Sequence, residues 1–109
     1  MNSTNPNEQH DLARDLENMT KKLPIILCAG QNGRALIFGF VDSEPVPGEP
    51  VAMTDARMIF YYPSGGTFGL AADGPPEGSR VSAVVDKTVE TVWQEWIAVS
   101  AKAVERFNA

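Results

Sequence analysis

Val51-Ala52-Met53-Thr54-Asp55-Ala56-Arg57-Met58-Ile59-Phe60-Tyr61-Tyr62-Pro63-Ser64-Gly65-Gly66 is the most apolar run of the chain and ends in its sharpest turn signal. Met58 to Tyr62 are consecutive apolar or aromatic residues of high strand propensity. A run that short, closed by Pro-Ser-Gly-Gly, predicts a central strand buried on both faces. Asp55 interrupts the stretch with a side chain able to bond neighbouring backbone, so the run is either two strands or one ribbon bent there; one bent ribbon is preferred. Arg57, beside the buried run, needs a carboxylate, a carbonyl or an anionic ligand, and in an acidic chain a salt bridge to Asp or Glu is the plain expectation.

Upstream of this ribbon, Ile25 to Ala29 reads as a short apolar strand, and Gln31-Asn32-Gly33 supplies the Asn-Gly pair of a hairpin turn. The return strand runs from Arg34 to about Asp42. Leu36, Phe38 and Phe40 share one face of it, so that face points at the core, and Gly39 on the other face admits a close backbone or a bulge. Ser43 to Pro50, with three prolines, two acids and a glycine, is an exposed loop. Further upstream, Asn5-Pro6 opens a helix that Pro24 ends. Glu8 and Asp11 favour the positive end of its dipole and Lys21 and Lys22 the negative end, and Leu12, Leu16, Met19 and Leu23 form a narrow apolar stripe. So thin a stripe lies either on the flank of the sheet or on another subunit, which makes Leu12, Leu16 and Met19 assembly candidates.

Downstream, Thr67 to Ala72 is ambiguous between a strand and one helical turn and is read as strand. Asp73 to Ser79 is a second loop, and Arg80 to Val85 alternates as an edge or half-buried strand. Thr88 to Phe107 supports two readings. Val89, Val92, Trp93, Trp96, Ile97, Ser100, Val104 and Phe107 fall at helical spacing. Against that, β-branched and aromatic residues dominate up to Val99, and Ser100 is a natural cap for a shorter helix.

The chain has 109 residues, 43% of them hydrophobic, enough for one core without disulfides or metal. Its net charge of −5 comes from 14 acidic and 9 basic residues with no gathered basic patch, which disfavours nucleic acid as a partner. Cys28, the single cysteine, excludes an intrachain disulfide, points to a reducing compartment such as cytosol, and is read as inert core. No apolar run approaches the roughly 20 residues of a membrane span, and the amino terminus has no hydrophobic secretion segment. No membrane partner and no export by that route are expected.

The catalytic inventory is empty. His10 stands alone in a polar segment, without a nucleophile or second histidine at a readable spacing, and no pair of histidines or cysteines offers a zinc site. Glu44, Glu49, Asp55 and Asp73 lie in separate turns, and the glycine turns lack the lysine and following helix of a phosphate cradle. No cofactor, metal or enzymatic activity is expected. Trp93 and Trp96, with Tyr61, Tyr62 and Phe68, are the aromatic residues suited to a binding surface, with core packing as the default reading; if exposed, Trp96 and Tyr62 would anchor a partner, with Arg57 or Arg80 supplying the polar contact.

The pattern Val51-x-Met53-x-Asp55-Ala56-Arg57 leading into Phe60-Tyr61-Tyr62, then Gly69-Leu70-Ala71 and Gly74, then an apolar segment ending at Ser100-Ala101-Lys102-Ala103, resembles a small uncharacterised family encoded by tailed phages and prophages. The resemblance spans roughly Leu23 to Phe107. It implies an antiparallel sheet protein with a strand over Val89 to Ala98 and a short helix after Ser100. It carries no catalytic residues across. Trp93, Trp96 and the lack of a proline near Ala98 depart from the family pattern, so one continuous helix over 88–107 stays an alternative.

Together these readings predict a polar tail and helix over 1–22 and a single α+β domain over 23–109. The expected fold is a bent antiparallel sheet of about five or six strands, with an N-terminal amphipathic helix and a short C-terminal helix. The expected function is a non-enzymatic phage or prophage accessory protein acting in the cytoplasm of a bacterial host. It would contact protein partners, itself as a homo-oligomer and a host or defence component. The alternatives are a virion part, decoration or tail-associated, and a small anionic-ligand-binding protein in whose pocket arginine converges with aromatic side chains.

Overall fold

The computed structural model describes residues 22–109. The chain enters as β1 (Leu23–Ala29), turns through Gly30–Arg34 and returns as β2 (Ala35–Val41), pairing along the full length from Leu23 opposite Val41 to Ala29 opposite Ala35. Gly30 and Gly33 both take positive φ, and the Gly33 N–H reaches the Gly30 carbonyl at 3.2 Å, so the Asn-Gly turn closes on a left-handed backbone that glycine adopts without strain. After the proline-rich loop, β3 (Val51–Tyr61) pairs antiparallel with β2 as one continuous ribbon. Asp55 is its bend. With φ at 48° it is the only non-glycine residue of positive φ among the described residues, and the β2–β3 register shifts beside it, between Phe38 and Phe40. Gly39 lies in that shift because a Cβ there would stand 3.0 Å from the Met53 methyl and 3.3 Å from the Ala56 Cα.

The outer side of β3 is shared by two strands. β4 (Arg80–Val81) covers its end and β5 (Val85–Glu90) its beginning, while β6 (Trp93–Ala98) pairs with β1 at the opposite limit of the sheet. Only Thr91 and Val92 separate β5, which ends at Glu90 opposite Val51, from β6, which begins at Trp93 opposite Ala29. On a flat sheet Val51 and Ala29 would lie roughly 25 Å apart along the strands, whereas three Cα steps reach about 11 Å. The six-stranded antiparallel sheet is therefore strongly curled, with its two limits meeting at one corner. Trp93 locks that corner through an Nε1–H donated to the Glu49 carbonyl at 2.7 Å, and the Gly30 N–H donates to the Val92 carbonyl at 2.8 Å.

The period-two alternation sends apolar residues to both faces. Ile25, Leu27, Ala29, Ile37, Val41, Val51, Met53 and Ala56 form one cluster inside the curl, closed at its rim by Trp93 and Trp96. Ile26, Cys28, Leu36, Phe38 and Ile59 form the other, beneath α1 (Gly66–Asp73) and α2 (Ala101–Phe107), which contribute Leu70, Ala71, Ala103 and Phe107. There Phe38 stacks on Phe107 with ring centroids 4.2 Å apart and meets Phe40 edge-on at 5.5 Å.

Several expectations are corrected here. The fold-class expectation of an N-terminal amphipathic helix gives way to a sheet whose two helices are central and C-terminal. Leu12, Leu16 and Met19 lie outside the described residues. Thr67 to Ala72 is helix and not strand, because Gly65 and Gly66 at positive φ turn the chain back over the sheet and burial of Leu70 and Ala71 holds it there. Arg80 to Val85 is broken after Val81, and Thr88 to Ala98 is neither one helix nor one strand but the end of β5, a two-residue corner and β6. Met58 to Tyr62 is not buried on both faces. Ile59 is buried, whereas Met58, Phe60 and Tyr61 are 41%, 63% and 54% exposed, because only the two-residue β4 flanks that end of the ribbon.

Candidate interaction surface

The residues singled out for binding fall in three places. Trp93 and Trp96, half-buried, serve the corner of the sheet: both pack on the cluster inside the curl, and the neighbouring Gln94 amide donates to the Gly30 and Gln31 carbonyls at 3.1 and 3.0 Å. Arg57, also half-buried, stands at the gap between β4 and β5. Its Nη1 donates to the Ser82 carbonyl at 3.0 Å, and its Nε is buried without a partner. No ion pair to Arg57 occurs among the described residues, so a carbonyl takes the place of the expected carboxylate. Ser82 completes the junction: its N–H donates to the Met58 carbonyl at 2.8 Å, while its hydroxyl accepts the Met58 N–H at 2.9 Å and donates to the Ala83 carbonyl. Sequence reading missed Ser82, whose small polar side chain gave no signal beyond its place in the alternation.

Arg80 is exposed and lies opposite Tyr61, with Gly78 completing a shallow depression of roughly 300 Å³. Tyr62 lines a separate groove, also roughly 300 Å³, at the hairpin end of the helix-covered face, together with Arg34, Phe60, Thr67 and Glu95. Its floor includes Cys28, 5% exposed, whose thiol pKa is pushed above its ordinary value of 9.0 by burial first and then by the charge and hydrogen bond of Glu95 opposite it. That combination keeps the sulfur protonated and a poor nucleophile. Arg34 carries no spacing signal in the sequence; only the hairpin return beside the end of β3 brings it near two aromatics.

Glu44 and Glu49 stay in their exposed loop, Asp55 in the bend, and Asp73 in an exposed ion pair with Lys102 at 3.1 Å. No group of three or more His, Cys, Asp or Glu side chains suited to a metal occurs among the described residues. No helix among them is long and apolar enough to cross a membrane. The feature that remains is apolar surface held outward by ordered structure. It comprises Phe60, Tyr61 and Met58 at the end of β3, Phe68 on α1 at 73% exposure, and Val85 and Val89 on β5. Phe60 and Tyr61 are consecutive residues at the same ribbon end, where the β3–β4 register shifts between Ile59 and Tyr61.

A family described as a domain of unknown function, DUF6948, matches residues 24–107. No curated protein and no solved structure matches the chain.

Proposed function

We propose that this chain, which belongs to that family of unknown function, is a small non-enzymatic accessory protein of a phage or prophage that works by protein contacts, with a second copy of itself and with a host or defence component. The phage assignment draws on the resemblance carried by the Val51 to Tyr62 motif. The observation that carries the contact reading is the outward pair Phe60 and Tyr61, 63% and 54% exposed on a strand whose preceding residue, Ile59, is core. Large aromatic rings in rigid backbone lose little entropy on docking and dominate interface energetics. The arginines offered as polar contacts flank this end of β3: Arg80 opposite Tyr61, and Arg57 four residues back toward the bend.

The test replaces both rings with β-branched residues that keep strand propensity, Phe60→Thr with Tyr61→Thr. Wild type is expected to exceed its 11.8 kDa monomer mass in light scattering and to capture one host protein repeatedly from lysogenic cells. The double variant should lose both, by about 30-fold or more in affinity for rings acting as hot spots. A monomeric wild type whose capture is unaffected by the double substitution would refute the reading. Recovery of the protein in purified particles, with no host partner, would favour the virion assignment instead.

A further inference from the structure

The groove of roughly 300 Å³ at the hairpin end of the helix-covered face brings two opposite charges to one place. Its floor is a single row across four strands, with Ile59 opposite Leu36, Leu36 opposite Cys28 and Cys28 opposite Glu95. Three buried residues therefore end in a carboxylate at the open edge of the sheet. Arg34 stands two positions before Leu36, its backbone N–H donated to the Asn32 Oδ1 at 3.4 Å at the end of the hairpin. Tyr62 packs on the core beneath the helices and Phe60 projects outward, and the two rings wall the groove on the β3 side. Arg34 and Glu95 do not pair with each other: the ion pair found among the described residues is Lys102–Asp73. Two strands across and two residues along, their Cα atoms lie roughly 12 Å apart at ordinary sheet spacings, which leaves room between the charged heads for a small molecule.

We propose that this groove binds a free α-amino acid with an apolar side chain, its carboxylate on Arg34 and its ammonium group on Glu95. A simple anion seated on Arg34 would face the Glu95 carboxylate, and a simple cation seated on Glu95 would face the guanidinium. A ligand carrying both charges satisfies both. The guanidinium takes a carboxylate through two parallel N–H donors. Leu36 and Ile59 below, with the rings of Phe60 and Tyr62 beside them, receive an apolar or aromatic side chain. The volume stands at the lower limit of ligand pockets, which suits a single amino acid. The site goes beyond the protein contacts proposed above and shares only Phe60 with them, so either reading can fail while the other stands.

The test titrates the full-length protein with L-phenylalanine and with two analogues that each keep one charge, hydrocinnamate and phenethylamine, following heat and amide chemical shifts. Phenylalanine is expected to bind about tenfold or more tightly than either analogue, each of which lacks one charged hydrogen bond. It should shift the amides of Cys28, Arg34 and Glu95. Arg34→Gln and Glu95→Gln, both at exposed positions, should keep the wild-type urea midpoint while each weakens phenylalanine binding about tenfold or more. Equal or tighter binding of either analogue by wild type would reduce the groove to a site for one charge and overturn the proposal. Phenylalanine that leaves those amides unshifted at about 10 mM, or that binds the two variants as tightly as wild type, would overturn it equally.

Discussion

The two faces of the sheet are closed by different means. On one face, α1 and α2 lie over Phe38 and its neighbours, and the closing elements are short local structures with their own caps. Ser100 accepts the Ala103 N–H, its hydroxyl donates to the Ala72 carbonyl at 2.6 Å, and the Gly74 N–H ends α1 on the Leu70 carbonyl. On the other face no helix is added among the described residues. The sheet closes on itself: Trp93 and Trp96 of β6 pack on the cluster that holds Val51, Met53 and Ala56, and β3 bends at Asp55 between the last two. The first face depends on side-chain fit beneath helices, the second on one backbone conformation and one corner.

The largest effect should come from the helix-covered face. Phe38→Ala removes a fully buried ring stacked on Phe107 and is expected to cost about 3–5 kcal/mol in urea unfolding. A cost below about 1 kcal/mol would show that the helices do not depend on that stack. The bend is tested next. Asp55→Val places a β-branched residue at φ 48° and should cost about 1–3 kcal/mol, with tryptophan emission shifting as the corner loosens, whereas Asp55→Gly should be close to neutral. Equal costs for the two substitutions would remove the backbone explanation and leave the carboxylate itself. Ser100→Ala should cost about 1 kcal/mol through the lost α2 cap, leaving the tryptophan signal of the curled face unchanged.

The smallest effect is a pH dependence confined to the helix-covered face. The Cys28 thiol pKa is raised in the folded protein, so the unfolded chain gives up its proton first as pH increases. Between the ordinary value near 9.0 and the raised one, the native state binds more protons. Stability therefore falls across that alkaline window and is unaffected by this group below it. Cys28→Ala should flatten that slope, measured by urea midpoints at pH 8 and pH 10, while an unchanged slope would assign the alkaline loss elsewhere.

Much of the sheet was legible because its signals are local. The Asn32-Gly33 turn, the paired apolar strands on either side of it, the interruption at Asp55 and the Ser100 cap each act within a few residues of where they are read. The helix over Gly66–Asp73 was not legible: Gly66, Thr67 and Gly69 favour no helix, and it is held by Leu70 and Ala71 packing beneath the chain and by the Ser100 N–H on the Ala71 carbonyl. Burial failed for a similar reason. Phe60 and Tyr61 read as core by composition, yet whether a strand end is covered depends on how long its outer neighbour is, and β4 stops after two residues. Of the binding candidates, Trp93 and Trp96 carry a pattern that serves core and contact alike, and only the corner at Thr91-Val92 assigns them to the fold. Arg34 and Ser82 escaped notice because their surroundings are built from distant segments.

The claim on which the functional account turns is that the rings at the end of β3 are surface reserved for contact and contribute little to folding. Urea unfolding of the Phe60→Thr, Tyr61→Thr variant tests it most directly. The account predicts a stability within about 0.5–1 kcal/mol of wild type, as for surface substitutions on a half-exposed strand. A loss of about 3 kcal/mol or more, comparable to Phe38→Ala, would make those rings part of the core and contradict it.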